Sequence, residues 1–105
     1  MKLIMAIVHK EDEHKVVSEL GKNGFSTTKL CSSGGFLRSG NVTLLVGVDD
    51  DKVDSVIQVI EKKSKSRKII TDPSIAFEAY TNYPIEIEVG GATIFVLNVE
   101  RFEKV

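Results

Sequence analysis

The chain has 105 residues, 42% of them hydrophobic and 28% charged, and its 14 basic and 15 acidic side chains leave a formal charge of −1. That length accommodates one domain around one core, residues 1–105, and the composition is that of an ordinary globular protein, which excludes collagen, coiled coil and disorder. A charge this close to zero excludes bulk electrostatic attraction to nucleic acid.

Leu3-Ile4-Met5-Ala6-Ile7-Val8 is a continuously apolar run ending in His9-Lys10, the pattern of a central strand buried on both faces. It is far shorter than the roughly 20 residues of a membrane span and lacks a small-residue cleavage site, so neither a transmembrane nor a targeting segment is expected. Within Glu11 to Asn23, Val16, Val17 and Leu20 recur at helical spacing, and Gly24 supplies a left-handed stop. Ser26 to Ser33 is rich in β-branched and small residues, Gly34 to Gly40 is a Gly/Ser loop, and Val42 to Val48 is again β-forming. Asp49-Asp50-Asp51 gives an acidic helix start. Val53, Val56, Ile57 and Ile60 then predict an amphipathic helix ending near Ser64.

From Ser66 to Tyr83 periodicity is lost, with Pro73 and Pro84 as punctuation, and so long an irregular stretch in a small domain is a candidate functional loop. Ile85, Ile87 and Val89 alternate with Glu86 and Glu88, a strand with one wet face, and Gly90-Gly91 permits a tight hairpin turn into Ala92 to Val99. The order predicts an α+β, ferredoxin-like βαββαβ sandwich with an extra hairpin strand and both helices on one face of the sheet. The other face is then apolar and uncovered, so self-association through it is expected.

This layout offers no catalytic constellation. His9 and His14 have no nucleophile at recognisable spacing, and both read as surface histidines. The one cysteine, Cys31, cannot close an internal disulfide or build a structural zinc site; it reads as a small buried hydrophobe in a cytoplasmic, metal-free chain without a cofactor. Glu11-Asp12-Glu13 and Asp49-Asp50-Asp51 both open helices, where negative charge suits the helix dipole without any cation. Lys62, Lys63, Lys65, Arg67 and Lys68 form the one basic cluster. They sit at a helix C-terminus, and the predicted strands offer only Phe95 as a stacking aromatic, so RNA recognition is not expected.

Gly34-Gly35-Phe36-Leu37-Arg38-Ser39-Gly40-Asn41 is more informative, because its glycines let backbone N–H groups approach a ligand. Phe36 can stack on a purine, Asn41 can pair in two-pronged fashion with an adenine edge, and Thr28, Lys29 or Arg38 can meet phosphate oxygens. Read from composition, the same loop also fits a hairpin whose Phe36 and Leu37 pack on a neighbouring subunit. Lys29 follows Thr28 on a strand, so it points to the opposite face.

Met1 to Val8, Thr28-Lys29-Leu30, the loop Gly34 to Asn41, Thr43, Gly47-Val48 and the block Tyr83-Pro84-Ile85-Glu86-Ile87-Glu88-Val89-Gly90-Gly91-Ala92-Thr93 continuing to Leu97 resemble the PII-like cyclic di-AMP receptor family nearly end to end. The resemblance implies a non-enzymatic, cytoplasmic signal-transduction protein, a homotrimer of ferredoxin-like subunits that binds the second messenger cyclic di-AMP between adjacent subunits. It implies that Gly35, Phe36, Leu37 and Asn41 form the adenine pocket, that Thr28 contacts the phosphodiester, and that Gly47 contributes backbone from the neighbouring subunit; Ser26, two residues before Thr28, is expected to share its face and lie beside that contact. Residues 66–84 correspond to the family's long mobile loop, expected to carry the signal to a downstream protein partner. Three departures stand out: Ser26 replaces the family's usual arginine, Glu103-Lys104-Val105 replaces its usual His-Gln-Phe ending, and Asp72 to Glu78 lacks its Gly-Gly stretch. These make a PII-like regulator of another nucleotide, or one acting by protein contact alone, the alternative reading.

Overall fold

The structure, a computed structural model, describes residues 1–30, 40–65, 67–71 and 85–105. The elements run β1 (Lys2–His9), α1 (Glu13–Lys22), β2 (Thr28–Leu30), β3 (Asn41–Val48), α2 (Val53–Ser64), β4 (Arg67–Thr71), β5 (Ile85–Val89) and β6 (Ala92–Asn98). β2, β3, β1 and β6 form an antiparallel four-stranded sheet in that order, with the two helices packed on one face, the ferredoxin-like arrangement.

The core lies between helices and sheet. Ile4, Ala6 and Val8 of β1 and Val42, Leu44, Val46 and Val48 of β3 meet Val16 and Leu20 of α1 and Val56 and Ile60 of α2. Alternation sends Leu3, Met5 and Ile7 to the other face, where they are only half-buried. β1 is thus apolar on both sides, as its sequence predicts, but the helices cover only one of them.

Helix α1 starts at Glu13, after a turn in which the Asp12 N–H donates to the His9 carbonyl at 2.9 Å. Its far end is a Schellman motif: Gly24 at φ +83° lets its own N–H reach the Gly21 carbonyl at 3.0 Å and the Phe25 N–H reach the Leu20 carbonyl at 2.9 Å. Phe25 then packs against the core. The acidic start predicted for α2 is a short 3₁₀ turn, Asp50–Lys52, leading directly into Val53.

Two expectations need correction. Arg67–Thr71 is a strand, so the irregular segment predicted over 66–84 cannot begin at Ser66. Ile69-Ile70-Thr71 is a β-branched run, and its antiparallel register sets Ile69 opposite Ile87 and Lys68 opposite Glu88 of β5. Residues 72–84 lie outside the described residues. Secondly, β5 pairs with β4 and β6 pairs with β1, so Gly90-Gly91, at φ +85° and +89°, turns a corner between two sheets instead of closing a β5–β6 hairpin. The Gly91 N–H donates to the Ser64 carbonyl at the end of α2 and fixes that corner.

Candidate functional site

The open face of the sheet carries three of the described candidates, Thr28, Asn41 and Gly47, while Ser26 precedes β2. Register places Thr28 of β2 opposite Leu45 of β3, and Leu45 opposite Met5 of β1, which faces Phe95 of β6. Leu30, Thr43, Ile7 and Thr93 form the next row in one direction, and Gly47, Leu3 and Leu97 the next in the other. The surface is an apolar platform with threonines set into it. Leu30, Phe95 and Leu97 remain 41%, 45% and 43% exposed on it.

The platform separates the phosphate-binding candidates. Thr28 is exposed on the open face, whereas Lys29 turns to the helix side and places its Nζ 2.8 Å from Oε1 of Glu13 in α1. Ser26 is exposed and precedes the first residue of β2. Asn41 opens β3 and Gly47 lies near its other end on the same face; six residues of strand span about 20 Å. Gly47 is exposed, and a Cβ there would lie 3.2 Å from the terminal methyl of Met1. Gly35, Phe36 and Leu37, with Cys31 and Arg38, lie outside the described residues.

At the Asn41 end the platform drops into a cleft of about 290 Å³ lined by Ile7, His9, Asn41, Gly90, Gly91, Ala92 and Thr93. It collects the end of β1, the root of the glycine loop and the Gly90-Gly91 corner. His9, read from the sequence as a surface histidine, is half-buried and lines this cleft. Its odd position after Leu3, Met5 and Ile7 already assigned it to the open face; the pairing with Asn41 appears only in the register. His14, by contrast, is exposed on α1. Among the described residues no group of three or more His, Cys, Asp or Glu side chains is placed to hold a metal ion, and no helix is long and apolar enough to cross a membrane.

Comparison with known proteins adds two findings. The chain matches the family model described as cyclic-di-AMP receptor over residues 1–105. It is also similar to the crystal structure of a functionally unknown protein from Pediococcus pentosaceus, at 36% identity and a TM-score of 0.80, over 99% of this chain and 96% of the other.

Proposed function

This chain belongs to the cyclic-di-AMP receptor family, and on that premise we propose that it is a non-enzymatic, cytoplasmic PII-like signal protein that binds cyclic di-AMP at the subunit interfaces of a homotrimer. In this reading Asn41 and the loop residues Gly35, Phe36 and Leu37 hold adenine, Thr28 and Ser26 lie along the phosphodiester, and Gly47 reaches the ligand from the next subunit. Residues 66–84, now including β4, report the ligand state to a protein partner.

One observation carries the reading. Asn41 and Gly47 share the open face but stand about 20 Å apart along β3, too far to touch one nucleotide from within one chain. In the proposed trimer the Asn41 end of one copy meets the Gly47 end of the next, and the packing of open faces covers Leu30, Phe95 and Leu97, which are exposed in the single chain. The alternative, a different nucleotide or protein contact alone, is favoured by Ser26, which brings no charge to the phosphates. Calorimetric titration with cyclic di-AMP, cyclic di-GMP, ATP and AMP side by side decides between them. Saturable binding of cyclic di-AMP alone supports the proposal; preference for another ligand, or heat from none, supports the alternative.

A further inference from the structure

β1 and β3 stop together, and their last register pair is His9 with Asn41. Just beyond it the Lys10 N–H donates to the Gly40 carbonyl at 2.6 Å, which makes Lys10 and Gly40 a hydrogen-bonded pair. Pair types alternate along an antiparallel ladder, so His9 and Asn41 are of the other type, with Cα atoms about 4.5 Å apart and side chains at their closest on one face. Imidazole and amide therefore stand side by side in the wall of the cleft, facing Gly90 to Thr93.

The backbone also decides which imidazole nitrogen is the donor. The Glu11 N–H donates to Nδ1 of His9 at 3.3 Å, and a nitrogen that accepts carries no proton, so the neutral ring keeps its proton on Nε2. Nε2 lies toward the root of the glycine loop, 3.9 Å from where a Cβ on Gly40 would be, and Gly40 at φ +97° holds a conformation that favours glycine.

We propose that His9 is a specificity-determining contact of the nucleotide site, donating its Nε2–H to the N1 of the adenine whose N6/N7 edge Asn41 engages. The inference rests on the cyclic di-AMP reading above and assigns what that reading leaves open, namely how adenine is told from guanine. In adenine the amino group is flanked by two acceptors, N7 and N1. Asn41 takes the amino group and N7 in two-pronged fashion, and a second donor beside it meets N1. In guanine N1 carries a proton, so the Nε2–H of His9 meets another donor and one polar group in the cleft goes unsatisfied.

The test is calorimetry on the full chain, wild type, Asn41→Ala, His9→Leu and His9→Gln, each with cyclic di-AMP and cyclic di-GMP, and with melting curves to confirm folding. His9→Leu should weaken cyclic di-AMP about 5- to 10-fold and reduce its advantage over cyclic di-GMP, while His9→Gln, which restores an N–H, should return affinity to within about 3-fold of wild type. If wild type binds no cyclic di-AMP, the functional reading falls and this assignment with it. If wild type binds and Asn41→Ala weakens it while His9→Leu does not, only the assignment to His9 falls. Equal losses in the Leu and Gln variants mark a packing role and overturn it too. Should the Leu variant not fold, ¹⁵N spectra of the wild-type imidazole decide: Nε2 must shift on addition of cyclic di-AMP with the ring held in the Nε2–H tautomer, and an unmoved signal overturns the proposal.

Discussion

Thr28 and Lys29 are consecutive in β2, yet Thr28 looks out over the open face while Lys29 crosses to the helix layer, its Nζ 2.8 Å from Glu13. Strand alternation thus removes the one described cation nearest the proposed phosphate contact and gives it to α1. Thr28→Val, which keeps shape and loses the hydroxyl, should weaken cyclic di-AMP by about 0.5–1.5 kcal/mol, whereas Lys29→Ala should leave affinity unchanged. The Lys29–Glu13 pair is partly exposed, so its loss should change folding stability by less than about 1 kcal/mol. Titrations and denaturant melts of both variants check this; an affinity loss in Lys29→Ala would put the phosphates on the helix side.

The platform demands a cover. Phe95 and Leu97 are 45% and 43% exposed on it, and covering that remaining area is worth about 1 kcal/mol each, under half of the about 1.5–3 kcal/mol for complete burial. Light scattering after size-exclusion chromatography should give three times the 11.6 kDa of one chain, and Phe95→Glu with Leu97→Glu should shift the protein toward monomer and abolish ligand binding with it. A wild-type mass of one chain at micromolar concentration would remove both the trimer and the intersubunit site.

Two glycines three residues apart in and after α1 should respond with opposite sign. Beyond its chain neighbours and the local helix backbone, neither Gly21 nor Gly24 has an atom within 4 Å of where a Cβ would stand, so space decides nothing. Gly21 lies inside the helix, where alanine is favoured by about 0.5–1 kcal/mol, so Gly21→Ala should stabilise. Gly24 sits at φ +83°, where a Cβ costs about 1–2 kcal/mol, so Gly24→Ala should destabilise. Thermal or urea melts of the two variants read the sign directly.

The elements that the sequence reveals are those whose signal is local. Val53, Val56, Ile57 and Ile60 mark α2 by spacing alone, Gly24 marks the end of α1 because few other residues take its φ, and alternation places Lys29 off the site. What stays hidden depends on partners distant in the chain. β4 reads as the tail of a basic cluster until Ile87 and Glu88 are set opposite Ile69 and Lys68, and Gly90-Gly91 reads as a hairpin turn until β6 is seen pairing with β1. The site divides the same way. Thr28, Asn41 and Gly47 are recognisable as candidates from residue type and family resemblance, but their spread over one face, and the place of His9 beside Asn41, follow from the register of β1 against β3.

Ser26 is where this chain departs from the family's usual arginine, and the structure sharpens what restoring the charge should do. Ser26 lies two residues before Thr28, the spacing that would share its face within a strand, but it falls outside β2, where no pairing holds the chain to that alternation; it is exposed and close in sequence to that strand's open side. A guanidinium on a long flexible stem can reach a phosphate held at Thr28, and its fork matches two phosphate oxygens at once. Lys29 does not compete, being engaged with Glu13. Ser26→Arg should therefore tighten cyclic di-AMP by about 1–3 kcal/mol, roughly 5- to 150-fold. The new contact is exposed, so much of the gain should vanish as ionic strength rises, because screening shortens the reach of a surface charge to about 10 Å at 0.1 M salt. Titrations of wild type and Ser26→Arg at low and high salt measure both effects. Unchanged affinity and unchanged salt dependence in an intact trimer would show that the phosphates do not run past the start of β2, and would shift the ligand toward the Asn41 end of the platform.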